Sequence, residues 1–492
     1  MKQYITNKFV TENILIFLFF IWQIGAVCYG EHIPAGNGLG WDGVQYSDLA
    51  QHFYTLVFGH QLSEYTVQRI LPSGIIYAVG KLFHLPLSNE NMPFIFGMYN
   101  TVLLAFGVCL WKAIATKQHW SAQIRLISFS GLFLNFAVLK MSGYYSVLTD
   151  ISAFVCGLLL LFLFLSNKNI SLLIVSVLGA FIFPTLLCMG LIFFIFPYTK
   201  DNDDLVNDKN NLKASRWSAW IATACIVGLA LIFQHTVINK DSSALGRYLW
   251  LPVLCVSVFT LMIYLYFGFR PFFDNFSRSF HKLKQLVHVR ILLAFFVFIA
   301  MKTLIHFLSN GAPGALTSWL FLQVLLVRAL AYPLIFLISY VLYYGPIVFL
   351  LIYFWKDIVN HSKMNGFGLL TLLFLYLILS INSESRQLIN FLPIAVFTVS
   401  EMINQKILPP YFTAFFVGLS LLMSRFYFPL NHGEWPSLYT NPPQITLEFP
   451  MQWYFMSQGP WMSHTPYMTF FILIGLTFFF VYQFLRNESV RS

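Results

Sequence analysis

The chain has 492 residues, 58% hydrophobic and only 10% charged, with a mean hydropathy of +0.70. A soluble globular chain carries about 25% charged residues, so a soluble domain is excluded and an all-α polytopic membrane protein is expected. The formal net charge of +10 does not point to nucleic acid, because no basic patch with interleaved aromatics stands clear of apolar sequence; Lys and Arg are expected in cytoplasmic loops instead.

The first apolar run, at about 13–29, has no small-residue cleavage site after it and reads as a retained span, with Lys2 and Lys8 holding the N-terminus in the cytoplasm. Residues 30–92 contain no full span and are expected to form a large outer loop. Within it, Tyr46, Leu49, Phe53, Leu56 and Val57 recur at helical spacing, opposite Ser47, Asp48, Gln51 and His52. That pattern predicts an amphipathic helix in the membrane interface. A second apolar piece, RILPSGIIYAVGKLF, follows at 69–83. Further spans are expected near 93–113, 124–141 and 151–166. The run 171–196 contains Pro184, which breaks a helix, and is read as a hairpin of two half-helices; one kinked span is the alternative.

Later spans are expected near 218–236, 249–268, 291–308, 334–355, 366–381, 388–404, 411–424 and 467–485. The basic segment 270–290 is the strongest cytoplasmic signal and is expected as a loop. The whole is one integral-membrane domain, 1–492, with about 12–14 membrane helices, both termini cytoplasmic, an early outer loop at 30–92 and a late one at 425–466. The six cysteines, Cys28, Cys109, Cys156, Cys188, Cys225 and Cys255, lie in apolar runs away from metal-site spacing and read as small buried residues. No Walker loop, strand-borne G-x-G-x-x-G, H-E-x-x-H or G-x-S-x-G is present.

Ionisable groups beside apolar sequence are costly and therefore functional candidates. By this topology Asp42, Asp48, Arg69, Asp150, Lys302, His306, Glu384 and Arg386 all face the outside. Each has a structural alternative. Asp48 can be the wet face of the interfacial helix, and Asp150 the N-cap of the helix that follows it. Glu384 and Arg386 can form a turn pair, Arg69 a lipid headgroup anchor, and Lys302 with His306 a snorkelling pair. Asp42 sits in a Trp-Asp-Gly turn rather than at an obvious helix start, where Gly43 permits close approach of a ligand.

Five segments carry a family resemblance: WDGVQY (41–46), the interfacial helix behind it, RILPS (69–73), YYSVLTD (144–150) and SESRQLINFLP (383–393). In order and architecture the chain resembles the GT-C superfamily of integral-membrane glycosyltransferases, in its bacterial form. The resemblance implies an inverting transfer of a sugar from a polyprenyl-phosphate donor to a glycan, lipid or protein acceptor, outside a bacterial inner membrane. It implies Asp42 as the general base, and Asp48, Arg69, Tyr145, Asp150, Glu384 and Arg386 as substrate contacts. Some members use a divalent metal, Mg or Mn, for which Asp42, Asp150 and Glu384 offer oxygen ligands. Here Asp42 and Asp48 stand apart, where some members have an adjacent acidic pair. Two other readings stay open: a transporter or flippase of a lipid-linked saccharide, and an O-antigen ligase or polymerase, whose chemistry would centre on 425–466.

Overall fold

The computed structural model describes residues 2–199, 212–238, 251–286, 288–312, 318–362, 365–406, 409–431, 462 and 464–489. Among these residues the chain is helical and contains no strand. Backbone groups in lipid must be paired within the segment, and helices do this at every apolar run.

Among the described residues, seven helical segments are long and apolar enough to cross a bilayer: Thr11–Tyr29, Met92–Lys117, Ser215–His235, Leu251–Asp274, Val289–Leu308, Ser385–Asn404 and Pro466–Arg486. An eighth forms if Ala122–Phe133 and Phe136–Tyr144, bent by 59°, count as one span. The expected count of about 12–14 is larger because several apolar runs are broken into helices of 10–17 residues. Each break has a local cause. Asn135 turns its amide back onto the carbonyls of Gly131 and Leu132, while its Oδ1 accepts from Val138 N–H, ending one helix and capping the next. Gly345, at φ +75°, and Pro346 divide the 334–355 run into Ile335–Tyr344 and Ile347–Tyr353.

The run 171–196 is a hairpin. Asn169–Gly179 and Pro184–Ile195 pack antiparallel, with Gly190 against Ser176 and Gly179 against Leu186. Elsewhere the expectations need correction. The segment 270–290 is not a loop up to Leu286, since Leu251–Leu286 is one helix that runs through Pro271. Ser318–Ala329, unanticipated, is also helical. Of the six cysteines only Cys156 is buried; the others lie on outward faces, where an apolar thiol contacts lipid as readily as core.

Asp150–Leu165 is the centre of the bundle. Nearly every side chain in it is buried, so it is apolar all round rather than along one stripe. It packs against Met92–Lys117, Asn169–Gly179, Pro184–Ile195 and the Ser385–Asn404 segment. Contact with that last segment is backbone-close, because Gly157 lies directly on the Asn390 carbonyl. Peripheral helices such as Val289–Leu308 and Pro466–Arg486 expose most of their surface, as suits helices facing lipid. Gly157→Leu is expected to force the central helix off residues 385–391 and to lower stability by about 1–3 kcal/mol or more. The check is the thermal midpoint of the purified protein in detergent.

Candidate functional site

The GNGLGWDG stretch, Gly36–Gly43, is not a free turn. A short 3-10 segment, Ala35–Gly38, leads into the helix Gly40–Phe58, and Asp42 lies in the first turn of that helix. There a carboxylate favours the positive end of the helix dipole. Gly40 has φ +72° and faces the Tyr145 ring so closely that any Cβ would collide with it. Gly43 touches Val147 and the Tyr145 ring, so the close approach it permits is to residues 145–147 rather than to a ligand. The Asp42 N–H donates to the Tyr145 hydroxyl at 3.1 Å, which fixes the turn in place. Burial pushes the Tyr145 phenol up from its ordinary value, so it stays neutral.

The interfacial helix has its expected apolar face: Tyr46, Leu49 and Val57 are buried, and Asp48 and His52 are exposed. Ser47 departs from the expectation. It is fully buried, and its hydroxyl donates to Asn89 Oδ1, which also accepts from Gln51. Polar spacing alone did not reveal that partner, which lies 42 residues away.

Charges from five separate segments meet beside this turn. Arg386 Nη2 donates to Asp42 Oδ2 at 2.9 Å, and Arg386 Nε donates to Glu384 Oε1 at 3.0 Å. Arg328 Nη1 lies 3.9 Å from Glu384 Oε2. Asp42, Tyr46, Tyr65, Arg69, Asp150 and Arg386 line one small pocket of about 10 Å³, room for about one water. Arg69 is buried; its guanidinium lies 3.8 Å over the Tyr65 ring and donates to the Tyr65 carbonyl at 3.1 Å. No carboxylate of the described residues lies within ion-pair distance of it.

Thr149, whose side chain makes no cap bond, holds the N-cap position, and Asp150 is the first residue of the central helix. It is therefore not an N-cap, but its carboxylate still sits at the positive helix end. The segment carrying Arg386 is held by two tyrosines: the Tyr340 hydroxyl donates to the Asn382 carbonyl at 2.9 Å, and the Tyr344 hydroxyl to the Ser385 carbonyl at 2.7 Å. Asn382 Oδ1 accepts from Glu384 N–H at 3.1 Å.

Asp42, Arg69, Tyr145, Asp150, Glu384 and Arg386 are thus brought together. Asp48 is not: it is exposed and lies 3.9 Å from His52. Lys302 and His306 do not line that pocket, and His306 Nδ1 sits 2.7 Å from Glu64 Oε1. Among the described residues no three His, Cys, Asp or Glu side chains gather closely enough to hold a metal ion. Asp42 and Glu384 are turned toward Arg386 instead. Arg328 and Tyr65 escaped the sequence reading. An arginine at the end of the apolar run 319–330 was a signal for the first, and a tyrosine four residues before Arg69 a signal for the second.

A second polar knot borders the site. Glu31 accepts from Lys140 Nζ at 2.8 Å, from the Leu430 N–H and from the Asn431 N–H at 3.0 Å. Asn431 in turn accepts from the Tyr144 hydroxyl and donates to the His32 carbonyl. These bonds, with that from Lys140 Nζ to the Phe428 carbonyl, pin residues 428–431 beside Glu31 and His32. Most of the late segment expected at 425–466, including His432, Glu434 and Glu448, lies outside the described residues. No protein-family model, curated protein or solved structure matches this chain.

Two outcomes follow from this geometry. Gly40→Ala is expected to displace Tyr145 and lower the thermal midpoint by several degrees, about 1–3 kcal/mol of overpacking and positive-φ strain. Partial burial would raise the Glu31 pKa, but Lys140 and the two N–H donors outweigh it and hold it below the ordinary value. The stabilisation from Glu31 is therefore present above the ordinary carboxylate range and disappears as pH falls through the lowered folded value. Glu31→Gln should flatten that acid limb in melting scans across pH, and an unchanged limb would show that the knot contributes nothing.

Proposed function

We propose that the chain is a membrane glycosyltransferase that moves a sugar from a polyprenyl-phosphate donor to an acceptor hydroxyl, with inversion, at the extracytoplasmic end of the bundle. The observation that carries this reading is the convergence of Asp42, Arg69, Asp150 and Arg386 in one pocket. A carboxylate and two guanidinium groups are the parts that such a transfer needs. An enzyme facing away from the cytoplasm has no nucleotide sugar to draw on, so a lipid-linked donor suits the location.

A large apolar groove supports the lipid half of the proposal. Its volume is about 510 Å³, and its walls include Phe267, Leu334, Leu337, Tyr340, Leu377 and Ser380. Tyr340 links it to the charged site, since its hydroxyl bonds the segment that bears Glu384 and Arg386. In this proposal the isoprenoid tail lies in the groove and its phosphate at the two arginines.

In the proposed reaction Asp42 takes the proton from the acceptor hydroxyl. The acceptor oxygen attacks the anomeric carbon from the face opposite the leaving group. The bond from that carbon to the phosphate oxygen breaks, and its electron pair leaves with the lipid phosphate. Arg386 and Arg69 take up the developing charge through charge-assisted bonds. Trp41, half-exposed and edge-on to Tyr145 at 6.5 Å between ring centroids, offers a face for a sugar ring.

The transporter reading draws on the broken helices at Asn135 and Gly345, since such breaks often line a transport path. One assay separates the two. Purified protein is given radiolabelled polyprenyl-phosphate sugars and candidate acceptors, in detergent and in proteoliposomes. Transfer is expected, and Asp42→Asn should lower its rate by about 10²–10⁴-fold with the fold intact. Unchanged transfer by Asp42→Asn would remove it as the base. Lipid movement across the bilayer without transfer would favour the transporter.

A further inference from the structure

We infer that Arg386 is a masked anion site, held closed by the Asp42 carboxylate until a phosphate displaces it. The inference rests on the donor reading above and adds an order of events to it: phosphate first, then release of the base.

The geometry assigns unequal roles to the two carboxylates on Arg386. Glu384 is a fixed partner. Its backbone N–H is bonded to Asn382, one of its oxygens takes Arg386 Nε, and the other faces Arg328. Its side chain is 16% exposed. Asp42 is the partner at the rim. Its side chain is 35% exposed, and it reaches Arg386 through a single bond from Nη2. Arg386 itself cannot retreat, because the backbone beside it is tied by Tyr344 to the buried Ile335–Tyr344 helix. When the contact breaks, Asp42 is the group that moves.

The closed pair also fills the site. The remaining pocket of about 10 Å³ takes about one water and has no room for a phosphate. Arg69 lines the same pocket and has no carboxylate of the described residues within ion-pair distance. A phosphate entering there finds Arg69 open and Arg386 masked, and gains the second guanidinium only by replacing Asp42. The exchange is one anion for another on the same Nη2, so the cation never goes unpaired in a low-dielectric site. It also turns Asp42 Oδ2, occupied in the closed state, toward the acceptor. A ligand with the same tail and no phosphate would leave the base engaged.

The test measures binding, not transfer. Full-length protein in detergent is titrated with farnesyl phosphate, and with farnesol as the uncharged control, by calorimetry. A competitor for Arg386 is lost in Asp42→Asn, so that variant should bind farnesyl phosphate about tenfold tighter than wild type, with farnesol unchanged. Arg386→Gln should weaken binding, and the gain should vanish in the double variant Asp42→Asn/Arg386→Gln. Equal or weaker binding by Asp42→Asn overturns the masking, as does a gain that persists in the double variant or no phosphate-dependent binding by any form. The donor reading fails separately. Tighter binding through Arg386 without sugar transfer from any polyprenyl-phosphate sugar would keep the masked site and remove the glycosyltransferase. Transfer without the tightening would do the reverse.

Discussion

A guanidinium between two carboxylates, one of them 344 positions away in sequence, organises this protein. Arg386 and Glu384 share one segment, and Asp42 comes from another at the far end of the chain. Bringing a charge chain out of water is favourable only when each member is paired and hydrogen-bonded. The surrounding architecture supplies that condition. Arg328 extends the chain on one side, Tyr340 and Tyr344 anchor its backbone, and Tyr145 fixes the turn that presents Asp42.

The bundle's irregularities serve the same end. A continuous helix could not place Glu384 and Arg386 at a pocket; the chain leaves helix at Ser380, passes through a tied loop and re-enters it as a 3-10 segment. The central helix starts with Asp150 at that pocket and lies hard against residues 385–391 through Gly157. Gly40 does the corresponding work in the first loop, where a side chain would drive Tyr145 out. Small residues thus set the distances between the elements, and charges set which ends of those elements meet.

The charged pocket is filled by its own side chains, while the apolar groove lined by Tyr340 has a volume of about 510 Å³. Under the proposed function, the groove takes an apolar tail and the arginines take its anion. In that proposal binding and chemistry are separate steps, because Asp42 and Arg386 are paired with each other in this structure. The knot at Glu31 and Lys140 ties the beginning of the late segment to the start of the early one.

Much was legible in the sequence by itself. Apolar runs near bilayer length specified helices, since lipid leaves the backbone no other partner. The polar outliers among those runs, Asp42, Arg69, Asp150, Glu384 and Arg386, were visible because a charge beside lipid needs a reason. Pro184 announced its break. Sequence could not say which outliers meet. Asp48 and Asp42 are both candidate site residues by sequence, yet one faces solvent and the other pairs with Arg386. Nor could it separate a loop from a helix at 270–286, or find Arg328, whose role exists only beside Glu384. Composition and periodicity report what a residue needs from its solvent, and that is a local property. Which carboxylate satisfies which guanidinium depends on how helices pack in three dimensions, and only the tertiary structure decides it.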